Sequence, residues 1–491
     1  MLPASDGMNG RWSWRDRDDG RGGVDVDLAT LRAWTAAVSA RVWDHLDGLD
    51  AQPTCGDVSG RGLQQLLPAE PPAEPADVDA VLRLLFEELI PRSYNTAAPG
   101  YFGFIPAGGL VPAALADLIA GVTNRYTGIW ATAPALVQLE ADTLDWFRDW
   151  VGFPPATRGV YTTGGSMATF SGIVCARQQH LRAELRRGVV YTSAQAHVSV
   201  VKSAFLAGLM PDQVRVLPVD DDYRLRVDAL VDAVRADRQQ GRLPFLVVAT
   251  AGTTGTGTVD PLSVVADVCA AEGLWLHVDA AYGGFFMLCA ELRPVLAGLS
   301  RADSLTLDPH KGLFLPYGTG ALLVRDGAAL RAAHAGTAGY LPATPDGPKV
   351  YDPSQYGPDL SRGFPGLRVW LSVQLLGVAA FIDALREKRE LAVHAAGTLA
   401  EVPGVHLATW PELSLFAFHL APAGGVAEEN RLTRCLVQRV NTRGRVLLTG
   451  TVVDGRYLAR VCVLSFRTHR PQVDVLVGQL AEESARLLAG S

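Results

Sequence analysis

Charge of one sign, cysteine and long apolar runs are what this 491-residue chain has little of. Charged residues make up 19%, with 44 basic against 51 acidic side chains and a net charge of -7, so nothing resembles the basic footprint of a nucleic-acid or membrane-surface binder. Six cysteines (Cys55, Cys175, Cys269, Cys289, Cys435 and Cys462) stand without CxxC spacing. That excludes a zinc or disulfide framework and fits reduced packing thiols in a cytoplasmic enzyme. The longest nearly apolar stretch, Gly109 to Val122, contains Asp117 and is too short to cross a bilayer. Residues 1–24 carry Arg, Asp and Gly with no apolar h-region, so they read as a flexible tail and not as a secretory signal. What is present is 48% hydrophobic residues, enough for a large core and, at ~150 residues per domain, two to four structural units. Small molecules and other subunits are the expected partners.

Val26 to Leu49 has helical apolar spacing at Leu28, Leu31, Trp34, Val38, Val42 and Leu46. A Pro-rich loop around Pro68 to Pro75 separates it from a second helix near Val78 to Leu89. Residues 25–105 thus form a helical arm, and its apolar faces need a second subunit to lie on. From Gly159 to about Arg325, short apolar runs alternate with helical stretches. Val189 to Tyr191, Val214 to Val219, Phe245 to Thr250, Leu274 to Val278, Ser304 to Leu307 and Gly320 to Val324 read as strands of a mostly parallel sheet covered by helices. The large domain is assigned to 106–385, with a mobile Gly/Pro/Tyr-rich loop at about 336–366 and a long helix from Leu367 into Ala400. Strand-like Leu415 to Leu420, Val446 to Thr449 and Leu458 to Leu464 place a small α+β domain in 386–491.

Four small constellations fall at the predicted strand ends, where α/β sheets bind ligands. Gly164-Gly165-Ser166 opens a helix and leaves amides and a hydroxyl for an anion, although a tight turn with a serine cap has the same pattern. Asp279 ends an apolar strand, where a carboxylate needs a cationic partner such as a protonated pyridine nitrogen. Small Ala281, two residues on, would let a flat ring lie close. Lys311 follows another strand in a chain whose basic residues are mostly Arg, and a partly buried amine there can attack carbonyls. His197 could stack on a ring or pass protons. Together these are the four parts needed to hold pyridoxal 5'-phosphate: a phosphate site, an aromatic face, a carboxylate and a lysine.

The stretches PGYFGFIP (99–106), WATAPALVQLE (130–140), YTTGGSMAT (161–169), SAQAHVSVVKSA (193–204), VVATAGTTGTGTVDP (247–261), WLHVDAAYGG (275–284), DPHKG (308–312) and LRVWLSVQLLG (367–377) carry a resemblance. In them the chain resembles the group II pyridoxal-phosphate amino-acid decarboxylases, most closely the aromatic L-amino acid and tryptophan decarboxylase branch. The resemblance implies a fold type I enzyme: an α/β protein with a mostly parallel seven-stranded sheet, helices on both faces, and a homodimer with a shared active site. It implies that Lys311 attaches the cofactor, Asp279 pairs with the pyridinium and His197 stacks on the ring. Gly165 and Ser166 would bind phosphate with His310 and Asp308, and Thr254 and Ala281 would line the cofactor. In the family a loop tyrosine is the acid that protonates the carbon after carbon dioxide leaves.

The chain departs from the family at several positions. Pro353 stands where that tyrosine is expected, with Tyr351 and Tyr356 on either side as candidates. Met167 and Thr169 replace the usual Glu and Asn, Asp308 an Asn, and Gly312 a Trp. An aspartate beside a phosphate is electrostatically awkward. The substrate pocket is expected from Phe104, Ile105 and Pro106, with Tyr126, Gly128 and Trp130 contributed across the dimer, Gly128 leaving room where a bulky aromatic is frequent. Gly377 resembles the glycine of indole-preferring members. The expected reaction is therefore decarboxylation of an aromatic L-amino acid, tryptophan favoured, by a cytoplasmic homodimer. The alternatives are oxidative deamination to an aldehyde, as in aldehyde synthases with a replaced loop tyrosine, and a non-aromatic amino-acid substrate.

Overall fold

The computed structural model describes residues 24–67, 70–106, 108–336, 339–341 and 350–490. The predicted tail, apart from residue 24, and the loop positions 337–338 and 342–349 lie outside the described residues. The chain forms two compact units, one of residues up to 51 with 56–93, the other of 52–55 with 94–491.

In the first unit the helix Leu28–Asp47 starts at Asp27, whose carboxylate accepts from the amides of Ala29 and Thr30 at 2.9 and 3.0 Å. Its apolar row (Leu28, Leu31, Trp34, Val38, Val42) is 37–62% exposed. A second helix, Val78–Arg83, starts at Asp77 and continues as a wide π turn over Leu84–Leu89.

The second unit is built on seven strands: β1 (Arg158–Thr162), β2 (Gly188–Ser193), β3 (Val214–Leu217), β4 (Leu243–Thr250), β5 (Trp275–Asp279), β6 (Ser304–Leu307) and β7 (Gly320–Val324). They pair in the order β1-β7-β6-β5-β4-β2-β3, and β7 alone runs against the others. The sheet is therefore mostly parallel, as the alternation of short apolar runs and helical stretches requires. Alternate residues serve opposite faces: Val247, Ala249, Leu276 and Val278 belong to one core, Leu246, Val248, Leu322 and Val324 to the other. The helix Gly165–His180 covers the second face. Gly172 admits it closely, since an added Cβ would stand 2.8 Å from the buried His277 ring.

Four further strands, β8 (Val405–Leu407), β9 (Leu415–Leu420), β10 (Thr449–Val453) and β11 (Arg456–Cys462), make an antiparallel sheet in the order β10-β11-β9-β8. Its core includes Leu391 to Leu399 of the long helix Pro365–Ala400 and the helices Val426–Thr442 and Arg470–Ala489. The long helix is apolar and long enough to pass for a membrane span. Gly377 breaks it, however, at φ 76°, and its second half carries Arg386, Glu387, Lys388 and Arg389.

Three strand expectations change. β1 is absent from the sequence reading because Gly159 interrupts a five-residue strand; that glycine is needed where an added Cβ would meet Leu323 at 2.6 Å. β8 was likewise not foreseen, being three residues long and only half buried. Val446 to Leu448, expected as a strand, are core residues joined to Tyr101 by a single bridge at Leu447, and the strand begins at Thr449. Asp454 and Gly455, with φ 48° and 78°, form the two-residue hairpin turn that sets its register with β11.

Candidate active site

The ends of β1, β2, β4, β5 and β6 open on one cavity of about 250 Å³. Every cofactor residue expected from the sequence, Gly165, Ser166, His197, Thr254, Asp279, Ala281, Asp308, His310 and Lys311, lines it.

One end suits an anion. Gly164, with φ 153°, turns the chain from β1 into the helix Gly165–His180, whose first amides have no intrahelical acceptor. At Gly165 an added Cβ would stand 3.0 Å from Asp308 Oδ2 and 3.1 Å from the Ala281 methyl, so the chain leaves the space that a bulky group would need. His310 donates from Nδ1 to the Thr319 carbonyl at 2.7 Å, and burial lowers its pKa.

The other end suits a cationic flat ring. Asp279 closes β5 at 7% exposure, and among the described residues its Oδ1 accepts from the Ala281 amide alone, at 3.2 Å. Burial raises its pKa against the pull of the Lys311 charge, so a cation beside it would be strongly held. His197 Nδ1 accepts from the Ser199 amide at 3.2 Å and lies 2.7 Å from the Ser199 hydroxyl, which puts its proton on Nε2. Burial lowers its pKa, leaving a neutral imidazole. For Lys311 burial alone would lower the pKa; the Asp308 carboxylate, 2.8 Å from Nζ, and the charge of Asp279 outweigh it and hold the amine above its ordinary range.

Residues 61–421 match the pyridoxal-dependent decarboxylase conserved domain. The chain belongs to the pyridoxal-dependent decarboxylases. It is 31% identical over 446 residues to an aromatic-L-amino-acid decarboxylase of Bacillus atrophaeus, covering 90% of this chain and 93% of that one. Two solved structures are similar in shape: a Catharanthus roseus tryptophan decarboxylase in complex with L-tryptophan (TM-score 0.89, 26% identity, 94% of this chain and 100% of that one) and a Rhodiola rosea 4-hydroxyphenylacetaldehyde synthase (TM-score 0.87, 25% identity, 94% and 99%). The protein is thus a fold type I carboxy-lyase that uses pyridoxal phosphate, and the donor set fits that cofactor. The helix amides and Ser166 suit the phosphate, Asp279 the ring nitrogen, His197 the ring face and Lys311 the aldehyde.

The residues expected to hold substrate are not all together. A second cavity of about 310 Å³ shares His197 and Thr254 with the first and takes in Phe104. Phe104 has φ 48°, a strained value for a phenylalanine; its amide donates to Thr449 Oγ1 and its carbonyl accepts from Arg460 Nη2, both at 3.2 Å. Ile105 and Pro106 are buried, Ile105 in the main core. Tyr126 donates to the Leu360 carbonyl at 3.0 Å, Trp130 packs on the core, and Gly377 faces open space at the helix break. Neither cavity is lined by Tyr126, Gly128, Trp130 or Gly377. The expectation that Gly128 leaves room is corrected within the chain: an added Cβ would stand 2.2 Å from the Leu360 carbonyl, so the main chain already fills that space.

The loop tyrosines also need correction. Tyr351 is 4% exposed, donates to the Gly159 carbonyl at 3.1 Å and stacks on Tyr356 at 5.2 Å. Tyr356 packs between the two cores of the large sheet. Both therefore act as packing residues in this conformation, and the second half of the predicted mobile loop is anchored, with Asp352 and Pro353 buried beside them. Arg460 was missed. It is 4% exposed, bonds Thr449 Oγ1 at 2.9 Å and borders the second cavity, and no carboxylate pairs with it among the described residues. The available signal was a lone cation inside the apolar run Leu458 to Leu464, the same kind that marked Asp279.

Proposed function

We propose that this decarboxylase acts on an aromatic L-amino acid, tryptophan first, and releases the amine. The second cavity carries the reading. It adjoins the cofactor residues across His197 and Thr254, and Phe104, Val198 and Val452 supply the apolar part of a lining that also holds Gln195, Thr449, Thr451 and Arg460, so an aromatic side chain would lie along those three. The aromatic substrates in the names of the relatives support it.

When bound, the cofactor supplies a conjugated sink for the electrons left behind by carbon dioxide. The chain does the rest. Asp279 would keep a proton on the ring nitrogen, so that the sink stays cationic. His197 would lie against the ring and present Nε2–H. Lys311 Nζ would hold the cofactor in place and could carry a proton between turnovers.

A second reading is supported by one observation: Pro353 stands where the loop acid is expected, and the Tyr351 hydroxyl is committed to Gly159. Without an acid, the carbon that loses carbon dioxide would be oxidised by oxygen, which leaves as hydrogen peroxide, and hydrolysis by water would then yield aldehyde and ammonia. Incubating the holoenzyme with tryptophan, tyrosine, phenylalanine and dihydroxyphenylalanine, while following amine, aldehyde and peroxide together, tests both. Amine without peroxide supports the first reading, aldehyde with peroxide the second, and no product from any of the four overturns the aromatic assignment.

The same proposal includes a cytoplasmic homodimer. Leu115, Leu118, Ile119 and Val122 of the helix Val111–Thr123 are 42–78% exposed, and the long helix that packs on it exposes Leu375 and Leu376. A second copy would cover such a surface. Sedimentation of the holoenzyme as a monomer at micromolar concentration would refute it.

A further inference from the structure

Asp308 occupies an unusual position for an acidic residue. It precedes the short helix Pro309–Gly312 as its cap residue, the place where aspartate ordinarily accepts from the helix amides, yet its side chain makes no capping bond. The carboxylate turns instead into the cofactor cavity. Oδ2 pairs with Lys311 Nζ at 2.8 Å and lies 3.6 Å from His310 Nε2, while Oδ1, in a residue 1% exposed, has no hydrogen-bond partner among the described residues. Both oxygens press on the anion cradle, 3.0 and 3.4 Å from where a Cβ on Gly165 would be.

The charge balance of the cavity makes this consequential. Its lining holds two carboxylates, Asp279 and Asp308, against one amine, Lys311. The imidazoles beside them, His197 and His310, are both shifted toward the neutral form by burial, and no arginine lines the cavity among the described residues. A phosphate entering the cradle therefore meets helix amides, Ser166 and an unpartnered carboxylate oxygen, with no guanidinium to offset the repulsion. The aldehyde end meets the same residue. Lys311 joins an aldehyde only as the free amine: a carbon–nitrogen bond forms, the carbonyl oxygen leaves as water, and the proton that Asp308 helps to keep on Nζ passes first to solvent.

We propose that Asp308 is a brake on cofactor capture: its carboxylate holds Lys311 in an ion pair and sets negative charge against the phosphate cradle. The chain then loads and keeps pyridoxal phosphate less tightly than it would with an amide at position 308.

The test titrates the apoenzyme of the wild type, Asp308→Asn and Asp308→Ser with pyridoxal 5'-phosphate and, separately, with pyridoxal, reading protein fluorescence and the visible absorbance of the bound cofactor. Both variants are expected to bind pyridoxal phosphate at least about tenfold more tightly, a small part of the roughly thousandfold that one like charge about 4 Å away is worth at an effective dielectric near 20. The gain for pyridoxal should be smaller, because only the release of Lys311 remains. Equal or weaker binding of pyridoxal phosphate by a variant whose apo form melts like the wild type would overturn the proposal and make Asp308 a cofactor ligand. A gain of equal size with both compounds would overturn its phosphate half. Serine, with no amide to replace the lost hydrogen bonds, keeps the test decisive if the asparagine variant does not fold.

Discussion

The hydroxyl of Tyr351 donates to the carbonyl of Gly159 across 192 residues of sequence, at 3.1 Å, and ties the segment before the long helix to the edge strand β1. Burial pushes the Tyr351 pKa far above its ordinary value, so this hydroxyl keeps its proton and serves as a structural donor. Tyr351→Phe should therefore cost about 0.5–1.5 kcal/mol of stability, read from urea denaturation, because the carbonyl loses its partner. It should leave the ratio of amine to aldehyde unchanged. A variant that keeps its stability and switches product would return Tyr351 to the chemistry.

His277 lies on the face of β5 that also carries Asp279, fully buried, with Nδ1 2.8 Å from Ser304 Oγ and Nε2 3.1 Å from Thr306 Oγ1. Burial pushes its pKa down to about 3 from an ordinary 6.5. Above pH 6.5 neither the folded nor the unfolded chain is protonated there, and the stability contributed is complete. As the pH falls from 6.5 toward 3 the unfolded chain takes up a proton that the folded one refuses, so stability drops by up to about 1.4 kcal/mol per pH unit from this group. His277→Gln, which can still bond both hydroxyls, should flatten the fall of stability measured between pH 6 and 4. An unchanged slope would show that His277 is not the group that titrates.

Three parts of the first cavity's lining could be read from the sequence because each breaks a local pattern: a carboxylate ending an apolar strand, a lysine among arginines, a glycine pair before a helix. The strands between them were equally legible, β6 and β7 to the residue, since continuous apolar runs of four to eight residues bounded by turns have few other solutions. Tyr351 and Gly128 were not legible, for one shared reason. Their surroundings are fixed by main-chain groups of Gly159 and Leu360, both distant in sequence, and a tyrosine bound to a distant carbonyl has the same local pattern as one in a mobile loop. β10 shows a different failure: the hairpin signal Asp454-Gly455 outranks the apolar run before it, because turn geometry fixes register.

Glu140 is fully buried on the helix Pro134–Val151, where it pairs with Arg362 and accepts the Gly366 amide at 3.2 Å. It thereby fastens the start of the long helix. Among the described residues Arg362 Nε and Nη1 have no hydrogen-bond partner, so Glu140 supplies the charge that makes its burial tolerable. Glu140→Ala should lose about 3–5 kcal/mol in chemical denaturation, because the partner cation stays buried without compensation. Glu140→Gln should lose less, since it retains the acceptor for Gly366. Equal losses for the two would mean that packing, and not the charge, fastens this junction.

Asp279 offers the sharpest separation of binding from chemistry. Its carboxylate is buried at the end of β5 with one backbone donor, and the proposed partner for it is the ring nitrogen of the cofactor. Asp279→Asn keeps the size and a hydrogen bond but cannot hold a proton on that nitrogen, so the electron sink becomes neutral. Turnover should fall by about 10²–10⁴-fold, the range in which a positioned proton contributes, while cofactor remains attached through Lys311 and visible in the absorbance spectrum. Lys311→Ala should instead lose both turnover and that absorbance. If Asp279→Asn loaded with cofactor turned over like the wild type, the carboxylate would be a structural anchor for the Ala281 amide, and the ring nitrogen would need no charge to carry the reaction.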